Sequence, residues 1–405
     1  MSGAMALQGV RILDFSWFAA GPQATKILGA HGAEVLRVES QAMIDSLRFA
    51  PPLAPGESVN SGYWFANINA HKRSIALNMN RPEGQDLARR LAAISDIVFN
   101  NFGAHVMEKW GMGYEDLIRV KPDIIVVEMP MYGKTGPRKN YDGFGNGVFS
   151  LAGLCYLTTY PDVPPIGTPI NYPDHSSNPY HAAIAMLSAL HYRHLTGKGQ
   201  YVDISQVEST ASVLDCAILE YTANGHIPQA QGNRSPYAVP YGTYRCMGED
   251  RWCAIAVTCD EEWAAFCRVV DHPEWAGDPR FASLEGRLRH VEELDQLVEG
   301  WTRARAPEEV MHTLQQAGVP AGVVQSSADL LADPQLQARG FYTRLDHPEI
   351  GAHYYEGPSG LLSWTPGRIT QRGPLLGEHN DYVFRELLGL PEEVINTYII
   401  DGVIY

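Results

Sequence analysis

The apolar positions of the first half of the chain fall into short runs separated by segments with helical spacing. Runs with strand character cover 10–15, 34–38, 74–77, 96–100 and 123–127, and helical segments, notably 82–94 and 114–121, lie between them. Short apolar strands that alternate with helices are typical of a parallel sheet covered on both faces. The pattern therefore predicts an α/β fold for this half.

The strongest helix prediction covers 178–194. Its apolar residues recur at i, i+3, i+4, i+7 and i+8, which is the stripe of a helix that packs one face on a core; they are Ala182, Ala185, Met186, Ala189 and Leu190. Ser176, Ser177 and Asn178 are each competent N-caps, and Gly197 after a basic last turn marks the end.

Asp174 lies just ahead of this helix, and two roles can be assigned to its carboxylate. A carboxylate at a helix entrance can satisfy backbone N–H groups and the positive end of the macrodipole, which stabilises by about 0.5–2 kcal/mol. The same dipole can instead keep the carboxylate ionised and available as a nucleophile. Other capping residues are present, so the residues themselves leave both readings open.

The second half of the chain has a different pattern of residues. A stretch rich in proline and aromatic residues at 233–242 precedes a strand at 252–257 and helices at 261–270, 291–304 and 307–317. We therefore predict a large α/β domain from 1–225 and 325–405, and a small α+β domain from 226–324. The apolar run 318–324 is interpreted as a strand that returns the chain to the first domain, and a last helix is predicted at 382–388.

Charge and cysteine usage exclude several classes of protein. The 405 residues include 31 basic and 46 acidic side chains, a formal charge of −15, which argues against nucleic acid or an anionic membrane as a partner. The six cysteines form no CxxC pair. We therefore expect no metal site, and we expect buried thiols in a reducing compartment. No signal peptide and no window of 18 uncharged apolar residues is evident, which predicts a cytoplasmic protein without a membrane span.

Parallel sheets bind ligands at the carboxyl ends of their strands, which directs attention to the loops at 16–22, 39–40, 78–80, 101–103 and 129–142. The first loop lacks GxGxxG, which disfavours a dinucleotide-binding enzyme. The loop at 133–142 carries three cations, and Lys72, Arg73 and Lys109 add more. Such a cluster could bind phosphates, or it could be a set of solvated side chains.

Several motifs occur together and in order along nearly the whole chain. They are GVRILDFSWFAAGP from Gly9, HKRSIALNMNRPEG from His71, NNFG from Asn100, YGKTGP from Tyr132, LTGKGQYVDIS from Leu195, NRSPYAVPYG from Asn233, GVPAGVV from Gly318, DPQLQARGF from Asp333 and GPLLGEHND from Gly373. In these motifs the chain resembles the class III CoA-transferases, the group of formyl-CoA transferase and carnitine CoA-transferase.

The resemblance implies a Rossmann-like large domain, a homodimer of interlocked rings, and Asp174 as the catalytic residue. It also implies transfer of CoA through an aspartyl anhydride and an aspartyl-CoA thioester, with coenzyme A as substrate and with no cofactor or metal. Implied CoA contacts are Ala19, Ala20, Leu77, Asn78, Asn80, Asn101, Phe102, Gly103, Lys109 and Lys139.

Departures from the family pattern narrow the range of acids expected as substrates. Ala19 stands where formyl-CoA transferase has a glutamine, and 233–245 lacks that enzyme's run of four glycines, so oxalate and formate are disfavoured. Ser40 stands where the family often has an arginine against the adenine, which leaves that contact open. Aromatic residues near the implied site suggest a roomy apolar acid pocket, although core packing explains them as well: Trp17, Phe18, Tyr172, Tyr237 and Tyr241.

Two alternatives stay open. An α-methylacyl-CoA racemase type would pair Asp174 with a histidine that precedes an aspartate, whereas this chain has Tyr141-Asp142, and two-base racemisation needs both proton carriers. The other alternative is an acyl-CoA-binding subunit that acts in a heteromer with a paralogous partner.

Overall fold

The structure is a computed structural model that describes residues 5–56 and 58–405. The chain forms two compact units. One consists of the described parts of Met1–Cys155 with Gly167–Ile227 and Pro334–Tyr405, and the other of Tyr156–Ile166 with Pro228–Asp333.

The first unit is built on a parallel sheet of six strands. These are β1 (Arg11–Asp14), β2 (Glu34–Glu39), β3 (Lys72–Ala76), β4 (Ile97–Asn100), β5 (Ile125–Glu128) and β6 (Tyr201–Asp203), in the spatial order β3-β2-β1-β4-β5-β6. Leu13 of β1 stands opposite Leu36 on one side and Val98 on the other. The α/β prediction is therefore confirmed, and β6 is a strand that the apolar pattern did not indicate.

Helices cover both faces of this sheet. The helices of this part of the chain are α1 (Ala20–Ala30), α2 (Tyr63–Ile68), α3 (Pro82–Ala93), α4 (Val106–Lys109), α5 (Tyr114–Val120), α6 (Asn146–Leu151), α7 (Leu154–Leu157), α8 (Tyr172–His175), α9 (Ser177–Thr196), α10 (Gln206–Ala211) and α11 (Asp215–Asn224), with a 3₁₀ turn at Ser46–Phe49. Successive strand residues point to opposite faces. Leu13 joins the cluster under α3, whereas Ile12 packs with the buried residues of α1 and α9.

Helix α9 confirms the predicted helix and its end. Gly197 adopts φ +72° and its N–H bonds to the Arg193 carbonyl, as expected for a left-handed cap. The capping prediction is confirmed in its position but not in its hydrogen bond. Ser176 is the N-cap residue, but its hydroxyl donates to the Tyr172 carbonyl at 2.7 Å instead of capping α9. The reason is that α8 continues almost directly into α9, so this hydroxyl meets a carbonyl of the preceding turn.

The second unit has its own antiparallel sheet in the order β7 (Tyr241–Arg245), β8 (Trp252–Ala256) and β9 (Ala321–Val323). Around it lie α12 (Asp260–Val269), α13 (Leu284–Arg289), α14 (Val291–Thr302), α15 (Pro307–Gln316) and α16 (Ser327–Ala332). The interpretation of 318–324 as a strand returning to the first domain is wrong. Val323 pairs with Cys253 inside this sheet, and an apolar run by itself does not specify its partner strand.

The chain then completes the first unit with α17 (Pro334–Ala338), a hairpin of β10 (Tyr342–His347) and β11 (Gly351–Glu356), a π-helix at Asp381–Leu387 and α18 (Glu392–Ile400). The π-helix occupies the position of the predicted last helix. None of the helices in the described part of the chain is both long and apolar enough to span a membrane.

The cysteines only partly match the expectation of buried thiols. All six are free; Cys246, Cys253 and Cys267 are buried, Cys155 is intermediate, and Cys216 and Cys259 are exposed.

Candidate active site

Asp174 lies in α8, one turn of helix directly before α9, and its side chain is almost completely buried, with 1% of the residue exposed. Its Oδ1 has no hydrogen-bond partner in residues 5–56 and 58–405. Buried carboxylate oxygens are nearly always hydrogen-bonded, because an unpaired one loses its hydration at a cost of about 1–3 kcal/mol or more. An orphaned oxygen of this kind is therefore typical of a reactive group and not of a structural cap.

Burial raises the pKa of Asp174 to about 6, and the Gly145 backbone N–H and the Asn178 side-chain amide oppose this increase only in part. The sequence suggested only the helix dipole as an influence on this carboxylate, and the structure adds loss of hydration, which acts in the opposite direction. At pH 7 a group with that pKa is still about nine-tenths ionised. Asp174 thus combines a mostly ionised state with the higher basicity of a good nucleophile.

Asp174 opens onto a cavity of about 260 Å³. Its walls come from the loop after β1, the loop after β4, the segment 142–144 and single residues of other elements: Trp17, Phe18, Ala19, Ala20, Ser46, Asn101, Phe102, Gly103, Met131, Asp142, Gly143, Phe144, Asp174 and Gln206. The predicted residues Ala19, Ala20, Asn101, Phe102, Gly103 and Asp174 are therefore brought together. They meet here because β1 and β4 are adjacent parallel strands whose carboxyl ends share one edge.

A buried ion pair fixes the loop after β1. Arg37 donates to the Asp45 carboxylate at 2.5 Å and to the Ser16 carbonyl at 2.7 Å, and Asp45 accepts the Phe18 N–H at 3.2 Å. Phe18 has φ +62°, a conformation that a non-glycine residue holds only when its surroundings enforce it. Sequence reasoning missed Arg37 and Asp45, although a cation inside an apolar strand is a signal that a buried partner is needed.

Asn101 fixes the same loop from the β4 side. Its Oδ1 accepts the Trp17 N–H at 2.8 Å and its Nδ2 donates to the Trp17 carbonyl at 2.9 Å. This side chain was expected to contact CoA, and the structure shows it bonded to the loop backbone. Its position on the cavity wall is compatible with both roles.

The start of α1 faces this cavity through Ala19 and Ala20. Ala19 is the N-cap and no side chain caps the helix in the described part of the chain. The first backbone N–H groups of a helix have no intrahelical acceptor, and they lie at the positive end of the macrodipole. This end of α1 can therefore stabilise an anion next to Asp174.

The remaining predicted contacts lie outside this cavity's lining. Leu77 is buried and bridges to Ile404, and the Asn78 amide donates to the Gly402 carbonyl at 3.0 Å and to Tyr405 Oη at 2.8 Å. Asn80 is exposed. Asn78 is thus engaged by the end of the chain, a contact that no local sequence pattern indicates.

The cluster of cations is smaller than its sequence suggested. Lys72 is buried within β3 and donates to Asp14 at 3.0 Å, so it cannot meet a ligand at the surface. Lys134 is paired with Glu108 and Glu128, at 2.6 and 2.9 Å. Lys109 and Lys139 are exposed and have no carboxylate partner within the described ranges. Together with the exposed Arg138 of the same loop, these two lysines are cations that a phosphate could recruit.

Gly145 gives the first testable prediction. It has φ +51° and ψ −114°, and a Cβ at this position would lie 2.6 Å from Asn171 Oδ1. We expect Gly145→Ala to lower kcat by about tenfold or more, because the strained peptide moves the N–H that serves Asp174. Steady-state kinetics against Gly147→Ala checks this, since no described atom lies within 4 Å of a Cβ at 147. Equal activities of the two variants would contradict it.

The chain is similar to known proteins along nearly its whole length. Residues 7–380 match the model of CoA-transferase family III. A succinyl-CoA–D-citramalate CoA-transferase of Chloroflexus aurantiacus is 33% identical over 388 residues, which cover 96% of this chain and 95% of that protein. A succinyl-CoA:glutarate CoA-transferase of Mus musculus is 29% identical, covering 98% and 90%.

A solved structure, a CAIB/BAIF family protein from Brucella suis, superimposes with a TM-score of 0.87 at 30% identity, covering 95% of this chain and all of that one. The match of family, fold and full length agrees with the motif pattern. The chain therefore belongs to CoA-transferase family III and is an enzyme of the CoA-transferase type.

Proposed function

We propose that this enzyme moves CoA from an acyl-CoA donor to a carboxylic acid acceptor with Asp174 as the covalent carrier. The observation that carries the proposal is the buried, unpartnered Oδ1 of Asp174, which opens onto a cavity that also contains the uncapped start of α1. A nucleophile and an anion-stabilising group are thus placed on one small cavity, as acyl transfer requires.

The proposed reaction needs no reagent besides the acyl-CoA donor and the acceptor acid. The Asp174 carboxylate attacks the donor thioester carbonyl, the C–S bond breaks, and CoA leaves as thiolate from a mixed anhydride. The thiolate then attacks the Asp174 carbonyl, which releases the donor acid and leaves an aspartyl-CoA thioester. An acceptor carboxylate reverses both steps. Each tetrahedral oxyanion would be met by N–H groups at the start of α1, and one such donor contributes about 2.7–4 kcal/mol.

We propose succinyl-CoA as the first donor to test. The names of three relatives, at 29–33% identity, state this donor, with D-citramalate, L-malate or glutarate as acceptor. A mass-spectrometric screen of CoA exchange from succinyl-CoA and acetyl-CoA to a panel of acids would identify the acceptor.

Trapping tests the role of Asp174. Incubation with succinyl-CoA alone, followed by hydroxylamine, should convert Asp174 to its hydroxamate, which peptide mass spectrometry would locate. The acceptor acid is left out, so the result depends only on the first half of the reaction. A hydroxamate on any other residue would overturn the assignment.

Lys109 and Lys139 are expected to bind the phosphates of CoA. We expect Lys109→Ala and Lys139→Ala each to raise KM for acyl-CoA about three- to tenfold with little change in kcat, because a contact remote from the reacting atoms binds ground state and transition state alike. Lys198→Ala is the matched control, since Lys198 is also exposed but lies after the end of α9. A defect in kcat alone would show that the two lysines serve another purpose.

Assembly is part of the proposal. The interlocked homodimer that the resemblance implies stays a prediction. Two relatives at 31% and 32% identity are named as beta and alpha subunits of a succinyl-CoA–L-malate CoA-transferase, which gives the heteromer alternative its support. Activity of the purified chain alone would favour the homodimer.

A further inference from the structure

A buried cluster of four polar side chains joins the start of α9 to α10. Asn178, Gln206, Ser209 and Thr210 are each at most 6% exposed. Two of the four are primary amides, and Gln206 also lines the cavity that Asp174 opens onto. Buried polar groups are costly unless their hydrogen bonds are satisfied, so each bond in the cluster restricts how the two amides can be oriented.

The Gln206 amide is anchored to the parallel sheet. Its Nε2 donates to the Met129 carbonyl at 2.9 Å, and its backbone N–H donates to the Pro130 carbonyl at 3.2 Å. Both acceptors directly follow β5. The other end of the amide, Gln206 Oε1, accepts a hydrogen bond from Asn178 Nδ2 at 3.3 Å. Gln206 thus presents a fixed carbonyl oxygen to Asn178.

The Asn178 amide is oriented in turn. The Ser209 hydroxyl donates to its Oδ1, and the Thr210 hydroxyl lies 3.3 Å from the same oxygen. Because Oδ1 faces two hydroxyl groups, Nδ2 is the donor end of this amide. Nδ2 carries two N–H groups, and the bond to Gln206 uses one of them.

The second N–H of Asn178 is available to Asp174. The two residues are four positions apart where α8 continues into α9, the spacing that places side chains on one face of a helix. Burial raises the pKa of Asp174, and the Gly145 N–H and the Asn178 amide oppose this rise. Since Asp174 Oδ1 has no partner in the described ranges, these donors act on the other oxygen. One carboxylate oxygen is then restrained, and Oδ1 is left free to attack.

We propose that Asn178 and Gln206 are positioning residues for CoA transfer: the two amides form a chain of hydrogen bonds that restrains one oxygen of Asp174 and aims Oδ1 at the thioester carbonyl of the donor. The inference deepens the proposed function and rests on it, because it assumes that Asp174 is the nucleophile. Both amides act through Asp174, and small errors in the aim of a nucleophile are costly in rate.

Few other charges act on Asp174. Within residues 5–56 and 58–405, Asp142 is the other charged side chain that lines the cavity, and it is exposed. The helices packed against α8 are α1, α6 and α9, and their described residues add no charged side chain to this wall. Burial lowers the pKa of His175, the next residue in the chain, so it carries little charge at neutral pH. A change in the ionisation of Asp174 after substitution of Asn178 can therefore be assigned to the lost amide.

Asn178→Ala tests the positioning role. Exchange of isotopically labelled succinate into succinyl-CoA serves as the assay, because the acid of the donor is always an acceptor in a reversible transfer. We expect kcat to fall about ten- to a hundredfold and KM for succinyl-CoA to change by less than about threefold. The midpoint of the acid limb of kcat/KM for the donor should rise by about 0.5–1 pH unit, because a hydrogen bond to the charged carboxylate is lost.

A second variant and a control assign these effects to the chain of amides. Gln206→Met keeps the length of the side chain but removes the acceptor of Asn178, so it should change kcat and the midpoint in the same direction. The double variant should be less than about threefold slower than Asn178→Ala, because members of one chain are not additive. Ser212→Ala is the control, since this hydroxyl donates to the Ser209 carbonyl at 2.8 Å outside the chain, and it should change kcat by less than about twofold.

A purely structural role for Asn178 predicts a different result: a lower melting temperature, with kcat of the folded enzyme and the pH midpoint unchanged. That result, or losses that multiply fully in the double variant, overturns the proposal. Gln206→Met decides the matter by the same two measurements if Asn178→Ala does not fold.

Failure of this inference is distinguishable from failure of the proposed function. Hydroxylamine trapping is done on the wild-type enzyme and does not depend on Asn178 or Gln206. If Asp174 is labelled and the variants behave as the control does, only the inference about the two amides falls. If neither succinyl-CoA nor acetyl-CoA leads to labelling of Asp174, the proposed function falls, and the inference falls with it.

Discussion

Asp174→Asn is expected to lower kcat for CoA transfer by at least about four orders of magnitude, as loss of a covalent nucleophile does in other acyl-transfer enzymes. Asparagine has the same shape and fills the same buried position, but its amide cannot form the anhydride. The measurement is CoA transfer from succinyl-CoA, followed by chromatography over hours. Asp174→Ala is assayed in parallel, because slow deamidation of the asparagine would restore the native residue.

The control variant comes from the same cavity. Asp142 lines it too, but its side chain is exposed. We expect Asp142→Asn to lose less than about tenfold, because a solvated carboxylate has neither the raised basicity nor the position of Asp174. Retention of more than about one per cent of wild-type kcat by Asp174→Asn, or a larger loss at Asp142, would contradict the assignment of Asp174 as nucleophile.

The parallel α/β class and the positions of β1 to β5 could be predicted because each of these strands contains a short apolar run. β1 to β5 are buried on both faces, and their alternation with helices leaves few topologies. β6 was missed because Tyr201–Asp203 is three residues long and only partly buried, so it has no run to detect. The partner of Val323 was assigned wrongly for a different reason: pairing depends on the tertiary arrangement, and the sequence near 321–323 is equally compatible with either sheet.

The candidate site could be predicted in its location but not in its electrostatics. Ala19, Asn101 and Phe102 were expected near Asp174 because the family resemblance implies that they contact CoA. In the structure, the parallel pairing of β1 with β4 places their loops side by side. The pKa of Asp174 depends on how completely the fold removes water from its carboxylate, and this burial comes from residues distant in sequence. Lys72 shows the same limit. Its sequence position suggested a cation available to a ligand, but in the structure it is buried and donates to Asp14.

The positioning pair of Arg37 and Asp45 shows a second limit. Each is an ordinary charged residue in the sequence, and each acquires its role from a partner that only the folded chain supplies. Charged residues on apolar strands or helices are therefore worth marking in a sequence as groups that require a buried partner, even when that partner cannot be named.

The same burial predicts that Asp174 destabilises the folded protein at neutral and alkaline pH. The fold raises its pKa from 3.8 to about 6, so the protonated carboxyl is the form that the fold favours. Its stabilising contribution is complete below pH about 4 and is lost as the pH rises through about 6, because there the folded state must hold a charge that the unfolded chain hydrates freely. Two pKa units correspond to about 3 kcal/mol, which is an upper value.

Asp174→Asn should therefore increase the free energy of unfolding by up to about 3 kcal/mol at pH 8 and by almost nothing at pH 4, since asparagine stays neutral throughout. Urea or thermal unfolding at both pH values, at one fixed protein concentration, measures this difference. Asp142→Asn is again the control and should show no gain, because that side chain is exposed. A variant that is less stable than the wild type at pH 8 would show that Asp174 serves the fold. A more stable and inactive variant would show that the fold tolerates a costly buried carboxylate for the sake of the reaction.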